Sequence, residues 1–271
     1  MNTGEFADLE RIEYEAAIDL YRAAPAGIRA ELDIDVREIG DATCLSCRGL
    51  EPASIFRRAV GLGVGNPATE NDVDEVVAYM QGRGERFVIP SAPGCRPPGM
   101  AAWLEARGFE AGYAWMKFSR PCAGPPDAPT DLSVRVVDDR DGAGFGRVVT
   151  EAFDLPSTIA PWVGQLAGRQ GWACVMAFDG GEPVAAGAVF VRGDHAWLGF
   201  GGTLASHRRR GAQGAVLAQR LSEAAARGAR VAVTETGERM PEMPGHSYRN
   251  ILRAGFEERY LRQHFLSPRP G

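Results

Sequence analysis

The sequence predicts a mixed α/β fold, with an α+β mixed sheet, that is built twice in two halves meeting near residue 125. Three observations carry this prediction. Segments with the alternation of strands are interleaved with segments whose apolar residues recur at helical spacing. The stretch 121–129 is rich in proline, which is typical of a linker. Short sequence matches recur in the same order on both sides of that linker.

The repeat is clearest where each half closes. In the first half, Gly108-Phe109-Glu110 is followed by Tyr113 and Phe118. In the second half, Gly255-Phe256-Glu257 is followed by Tyr260 and Phe265 at the same spacing. Upstream of each match, a helix is expected to stop at a glycine, the residue preferred just beyond a helix end, before a strand begins. We therefore predict two copies of one fold, in residues 1–124 and 125–271.

In the C-terminal half, the pattern predicts each element in turn. Strands are expected over residues 132–137, 172–178, 183–191, 195–204 and 230–235. Helices are expected over residues 140–153, in a short segment ending at Trp162, and over 212–227. Between two of the strands, Asp179-Gly180-Gly181 indicates a hairpin turn.

The strongest functional signal is the segment 206–215, SHRRRGAQGA, which follows a predicted strand and opens a predicted helix. Its three arginines lie where the helix dipole is already positive, which costs about 0.3–1 kcal/mol for each cation. An anion docked at this end explains them, because the free N–H groups of a helix start bind phosphate. The order of strand, basic glycine-containing turn and helix therefore favours a ligand with a pyrophosphate.

The glycine pattern of this segment does not match two common phosphate-binding loops. It lacks the Gly-Lys-Ser/Thr of a P-loop and the glycine spacing of a dinucleotide-binding fingerprint. A solvated basic helix start remains an alternative. Nucleic-acid binding is disfavoured, because 30 Lys and Arg residues stand against 35 Asp and Glu residues and the net charge is −5.

The same segment resembles motif A of the GCN5-related N-acetyltransferases (GNATs), written (Arg/Gln)-x-x-Gly-x-(Gly/Ala). Arg208 takes the first position and Gly211 the fourth. Gln213 replaces the small residue of the sixth position, and Gly214 follows one place later. The resemblance covers about residues 131–266, and it implies that residues 247–256 form the family's closing helix with its terminal Gly-Phe.

The resemblance implies two GNAT-like domains in tandem, each a central mixed, mostly antiparallel sheet flanked by helices. It also implies acetyl-CoA as the co-substrate, direct transfer of the acyl group to an amine, and no metal. The cofactor-binding residues implied are Thr203, Leu204, Ala205, Arg208, Arg209, Arg210, Gly211, Ala212, Gln213, Gly214, Ser247 and Asn250.

The corresponding loop of the N-terminal half, residues 63–72, predicts a different role for that copy. Thr69 is placed as a helix N-cap, with Glu70 and Asp72 in the first turn. Carboxylates at this end satisfy the helix dipole themselves and repel a pyrophosphate. The N-terminal copy is therefore expected to be degenerate, to bind no cofactor, and to pack against the second copy.

The candidate catalytic residues are Glu235 and Tyr248. Glu235 ends the fifth strand and is the candidate base for the amine proton, with a solvated carboxylate as the alternative. The family's usual acid is a tyrosine at the position of Ile251, so Tyr248, one helical turn earlier, is the candidate acid. Packing of Tyr248, with protonation of the thiolate by water, is the alternative.

The acceptor is expected to be a small-molecule or peptide amine. Phe153, Asp154 and Trp162 fall in the segment that usually forms one wall of the acceptor pocket, although aromatic residues there also suit the core. Two other functions remain open, namely a catalytically silent acyl-CoA-binding sensor or scaffold and a generic phosphate-binding module. A homodimer also remains open.

Composition and cysteine content indicate in which compartment the protein is expected. The chain has 271 residues, 45% of them apolar, with no run near 18 consecutive apolar residues and no basic-then-apolar start, so neither a membrane association nor a signal peptide is expected. It has five cysteines, and the Cys44/Cys47 pair lacks the second pair that a zinc site needs. These features predict a cytoplasmic protein.

Overall fold

A computed structural model describes residues 3–239 and 245–269. In the N-terminal half the helices are α1 (Thr3–Arg22), α2 (Ala26–Glu31), α3 (Ala53–Phe56), α4 (Glu70–Gly82) and α5 (Met100–Ala106). The strands of this half are β1 (Asp35–Ile39), β2 (Ala42–Ser46), β3 (Arg58–Val60), β4 (Val88–Ser91), β5 (Glu110–Ala111) and β6 (Trp115–Pro121).

The C-terminal half confirms the predicted order of elements, with ends that differ by up to three residues. Its helices are α6 (Gly142–Ala152), α7 (Ala160–Gly164), α8 (Ala212–Ala226) and α9 (His246–Arg253). Its strands are β7 (Ser133–Val137), β8 (Trp172–Asp179), β9 (Glu182–Arg192), β10 (His195–Thr203), β11 (Val231–Gly237) and β12 (Glu257–Leu266). No helix in the described ranges is both long enough and apolar enough to cross a bilayer.

Across the described residues the strands form one mixed sheet, which confirms the predicted fold class. The strand order is β1-β2-β3-β4-β12-β6-β11-β10-β9-β8-β7, with β5 paired to β12. Most neighbours are antiparallel, and the pairs β3–β4 and β10–β11 are parallel.

The two halves exchange their closing strands. β6 belongs to the N-terminal half, yet it lies between β11 and β12 of the C-terminal half, with Lys117 opposite Glu235. The far end of β12 pairs in turn with β4 of the N-terminal half, with Phe265 opposite Ile89. Residues far apart in the sequence therefore meet in the middle of the sheet. The predicted boundary near residue 125 lies in the segment between β6 and β7 and stays a prediction.

Helices cover both faces of the C-terminal part of the sheet. On one face, called here the α1 face, Leu9 and Ile12 of α1 pack with Phe145 and Val148 of α6. On the other, the α8 face, Leu217 and Leu221 of α8 pack with Tyr248 and Ile251 of α9. The N-terminal helix α1 thus covers strands of the second half.

The sheet opens between β10 and β11. The two strands pair only over His195–Trp197 and Val231–Val233. Just beyond, the Thr234 hydroxyl donates to the Leu198 carbonyl at 2.8 Å. A β-bulge then follows between Gly199 and Gly202. Phe200, within the bulge, has a positive φ of 57°. The separation leaves a gap through the sheet at the level of Glu235.

Candidate active site

A continuous cavity passes through the sheet at the gap between β10 and β11. Four of the predicted site residues line it, namely Glu235, Gln213, Ser247 and Asn250. On the α8 face its walls come from α8 and α9, and on the α1 face they come from α1, α3 and α7. The same cavity thus connects the helix start predicted to hold phosphate with the strand predicted to hold the base.

The loop before α8 has the backbone form of an anion site. Arg209 and Gly211 both have left-handed φ values, 67° and 80°, within a stretch of three residues. Alternation of this kind turns successive N–H groups toward one concavity. The next amides, those of residues 212–214, open α8 and have no acceptor within the helix. Arg208 and Arg209 are exposed, and among the described residues neither forms an ion pair.

The side chain of Arg210, predicted to bind phosphate, is paired with carboxylates of the protein. Its guanidinium is paired with Asp179 at 2.6 Å and with Asp131, to which its Nε donates at 3.1 Å. These hydrogen bonds, that to Asp179 first, raise the pKa of Arg210. The side chain therefore ties the loop to the β8–β9 turn and to the start of β7, and only its backbone remains for a phosphate.

Glycine at 211 is required by two features. The positive φ favours glycine, and a Cβ there would overlap the carbonyl oxygen of Pro129 in the linker. Gln213, which replaces a small residue of the motif, accepts a hydrogen bond from the Asn250 side chain. This bond joins α8 to α9 on the α8 face of the cavity, while Ser247 is exposed at the start of α9.

The three predicted site residues at the end of β10 lie in different environments. The hydroxyl of Thr203 is buried and has no hydrogen-bond partner among the described residues. Leu204 is buried in the core, and its N–H donates to the carbonyl of Val184 at 2.9 Å. Ala205 is exposed and begins a short 3-10 turn. Thr203 therefore keeps a free donor beside the loop, whereas the Leu204 amide is already used.

Glu235 is held by a tryptophan of the neighbouring strand. The indole Nε1 of Trp197 donates to both carboxylate oxygens of Glu235, at 2.9 and 3.1 Å. The indole reaches this position by lying over Gly199, where a Cβ would overlap the ring. Glycine at 199 thus permits the contact that orients the carboxylate.

Lys117 approaches Glu235 from the exchanged strand β6. Its ammonium lies 3.3 Å from Glu235 Oε2 and is also paired with Glu13 of α1. Burial, the largest influence, and the charge of Glu13 raise the pKa of Glu235 above its ordinary value, while Lys117 and the Trp197 hydrogen bond oppose this. A carboxyl group with a raised pKa, fixed at the gap in the sheet, is suited to accept a proton.

The charges around Glu235 form a balanced buried network. Glu13 is paired with Arg58 of β3 at 3.0 Å, and Arg262 of β12 is paired with Glu10 at 2.9 Å and with Glu13. With Glu235 and Lys117, the network contains three carboxylates and three cations. Because both halves contribute to it, the N-terminal half positions the candidate base.

A buried arginine supports the bulge of β10. Arg220 of α8 donates to the carbonyl of Gly199 at 3.0 Å and to that of Ala188 at 3.3 Å. Burial lowers its pKa to about 10. A Cβ at Gly187 or Gly201 would press on the guanidinium, so glycines at these positions leave space for it.

Tyr248 lies away from the cavity. Its hydroxyl donates to Glu258 at 2.6 Å, and its ring packs edge-on against Phe118. Burial, followed by the contact with Glu258, raises the pKa of Tyr248 to about 12. Of the residues that the structure describes, those lining the cavity do not include Tyr248.

Two of the three residues predicted for the wall of the acceptor pocket line the cavity. Phe153 and Trp162 line the cavity on the α1 face, and Asp154 lies outside the described lining. Trp162 is buried, and its indole N–H donates to the carbonyl of Leu20 in α1 at 2.7 Å. The C-terminal half therefore shares this wall with the N-terminal helix.

The sequence prediction missed Lys117 and Glu13, because both lie outside the segment that carries the motif resemblance. One signal was available. Lys117 is the only lysine in a chain that has 29 arginines. Lysine and arginine differ in shape, hydration and response to burial, so a single lysine in an apolar strand marks a position with its own requirement.

The fold is shared with several solved structures. A GCN5-related N-acetyltransferase from Kribbella flavida is 17% identical, with a TM-score of 0.65 over 97% of this chain and 95% of that one. A tandem GNAT protein from the clavulanic acid biosynthesis pathway is 17% identical, with a TM-score of 0.58 over 99% and 95%. A GCN5-related N-acetyltransferase from Sphaerobacter thermophilus is also 17% identical, with a TM-score of 0.58 over 87% of this chain and 83% of that one.

Sequence comparisons add no relative. No protein-family model matches the chain, and no curated protein sequence matches it. The structural likeness covers both halves and includes a tandem protein, in agreement with the repeat seen in the sequence. The chain has the fold of the GCN5-related N-acetyltransferases.

Proposed function

We propose that the protein is an acetyl-CoA-dependent N-acetyltransferase that transfers the acyl group directly to an amine. The observation that carries this proposal is the cavity through the sheet, which joins an anion-binding helix start on one side to a buried, oriented Glu235 on the other. Bringing both substrates into one such passage supplies much of a transfer rate through proximity.

The loop before α8 fits the diphosphate of CoA. The amides of residues 212–214 would bind the phosphates, with the exposed Arg208 and Arg209 adding charge-assisted hydrogen bonds. The orphaned hydroxyl of Thr203 is a further polar partner beside this loop. Gln213 and Asn250, which line the cavity, would face the arm that leads to the thioester.

Glu235 would act as the general base. It accepts a proton from the acceptor ammonium, and the neutral amine then attacks the thioester carbonyl, so that the C–N bond forms as the C–S bond breaks. Lys117 and Trp197 hold the carboxylate during this exchange. Because the Tyr248 hydroxyl is bonded to Glu258 outside the cavity, we assign protonation of the leaving thiolate to a water molecule, which takes in exchange the second proton that the nitrogen releases as the amide forms.

A second function, a catalytically silent acyl-CoA-binding protein, is favoured by that same placement of Tyr248. Two measurements separate the candidates. Acetyl-CoA should stabilise the protein against heat, whereas ATP and NAD should not. Acetyl-CoA should then be consumed in the presence of an amine panel. Binding without consumption on any amine would leave the silent function, and no binding would remove both.

A further inference from the structure

The part of the cavity on the α1 face is lined mainly by apolar side chains. We call it the α1 chamber, and its walls include Ala17, Tyr21, Phe56, Leu155, Ile159 and Trp162. Tyr21 and Trp162 meet edge to face with ring centroids 5.1 Å apart. The chamber ends at Glu13 and Glu235, where the gap in the sheet begins.

The polar atoms of the two aromatic walls are already used. The Tyr21 hydroxyl donates to the carbonyl of Phe56, and the Trp162 indole N–H donates to the carbonyl of Leu20 at 2.7 Å. Both rings therefore present carbon surface to the chamber. A polar ligand body would lose its hydration there without gaining hydrogen bonds from these rings.

The charges at the inner end are also matched. Glu13 is paired with Arg58, Lys117 and Arg262, and Glu235 is paired with Lys117. Among the described residues that line the cavity, these two are the carboxylates. One ammonium can approach Glu235, but a second on the same ligand would be buried without a carboxylate partner, which is strongly unfavourable.

The direction of the reaction decides what occupies the chamber. The loop and helices that fit CoA lie on the α8 face, so its thioester reaches the gap from that side. An attacking amine must approach the carbonyl carbon from a direction other than that of the sulfur, and the chamber opens at Glu235 on the opposite face. The acceptor, and not the arm of CoA, is therefore placed in the chamber.

We infer that the acceptor is an amine with a single positive charge on an apolar body, aromatic or branched aliphatic, which occupies the α1 chamber. This inference rests on the proposed function for its chemistry and adds the substrate class. It makes polyamines and amino sugars poor acceptors. Additional ammonium groups find no free carboxylate among the described lining residues, and several hydroxyls would share one unpartnered buried side-chain atom described there, Arg58 Nε.

The test measures binding first and turnover second. In the presence of CoA, 2-phenylethylamine and isoamylamine should bind at least about tenfold more tightly than 1,4-diaminobutane or ethanolamine, which is the scale of discrimination typical of an apolar pocket. The same ranking should hold for kcat/KM with acetyl-CoA. Equal or reversed ranking in binding would overturn the inference.

A matched pair of variants locates the effect. Leu155→Glu places a carboxylate in the wall of the chamber, whereas Leu261→Glu alters an exposed leucine of β12 outside the lining. The Leu155→Glu variant should bind 2-phenylethylamine more weakly and 1,4-diaminobutane more tightly, with CoA affinity unchanged. The second should change neither. An unchanged preference in a folded Leu155→Glu variant would contradict the placement.

Two further outcomes keep the inference and the proposed function distinct. If 2-phenylethylamine binds selectively but no amine is acetylated, the chamber assignment stands and the transferase proposal fails. If instead octanoyl-CoA binds more tightly than acetyl-CoA and displaces 2-phenylethylamine, the chamber holds an acyl chain and the inference is wrong.

Discussion

Lys117 Nζ lies 3.3 Å from Glu235 Oε2, although the two residues are 118 positions apart in the chain. The contact exists because the closing strand of the N-terminal half is inserted beside β11, which places residue 117 opposite residue 235 in the ladder. The half that carries no arginine loop thus supplies the charged neighbour of the candidate base.

Replacing Lys117 by Met is expected to move the acid limb of the pH profile of kcat/KM to higher pH. Loss of the Lys117 ammonium leaves the Glu235 carboxylate beside Glu13 without that cation, so the pKa of Glu235 rises further. At a given pH a larger fraction of the Glu235 side chains is then protonated and inactive as a base. Breaking a buried ion pair also costs about 3–5 kcal/mol of stability. The profile should therefore be measured well below the melting temperature of the variant.

Arg230→Met serves as the control for this measurement. Arg230 is paired with Asp194 on the surface, and its side chain is 79% exposed. Its removal should leave the acid limb where it is. An acid limb that is the same in the Lys117→Met variant and in the unmodified protein would mean that Lys117 does not influence the base.

Replacing Gly199 by Ala is expected to lower kcat while leaving CoA affinity nearly unchanged. The added Cβ overlaps the Trp197 indole, which must move and release its hydrogen bonds to Glu235. Gly82→Ala is the matched control, because nothing lies within 4 Å of a Cβ built at that helical position. Full activity in a Gly199→Ala variant would show that the Trp197 contact does not orient the base.

Charge reversal at Arg208 and at Arg210 should have different effects. Arg208→Glu places a negative charge on an exposed arginine beside the proposed phosphate site, so CoA binding should weaken by about tenfold or more at low salt and less at high salt. Arg210→Glu puts a third carboxylate next to Asp131 and Asp179, so thermal stability should fall. Calorimetric titration with CoA and melting curves separate the two effects.

Retention of full CoA affinity in Arg208→Glu would contradict the assignment of that side chain to the phosphate site. An unchanged melting temperature in Arg210→Glu would contradict the structural role of its two ion pairs.

Local sequence patterns predicted the C-terminal half well. The strand, turn and helix around the arginine loop are confirmed because they depend on short-range alternation, helical spacing and a glycine with a positive φ. The start of α4 is also confirmed, since Thr69 and Asp72 form the reciprocal hydrogen bonds of a capping box. That helix start is closed by its own side chains, whereas the one at Gly211 has no side-chain cap.

The exchanged strands and the chamber had no local signal. Which strand lies beside β11 is decided by packing between the halves, and the alternation within β6 is the same whichever neighbour it has. The ion pairs that Arg210 forms with Asp131 and Asp179 likewise depend on how three separate segments meet. For Lys117, the composition offers one hint, which is that it is the single lysine of the chain.

In the proposed reaction, Glu235 takes the proton of an amine at the gap between β10 and β11. Glu235→Gln keeps the shape of the side chain and removes its ability to accept that proton. With 2-phenylethylamine as acceptor, kcat should fall by about 10²–10⁴-fold while the Kd for CoA stays the same. The surface variant Glu257→Gln should be fully active, since that side chain is 76% exposed. A Glu235→Gln variant that acetylates the amine at the unmodified rate would contradict the account.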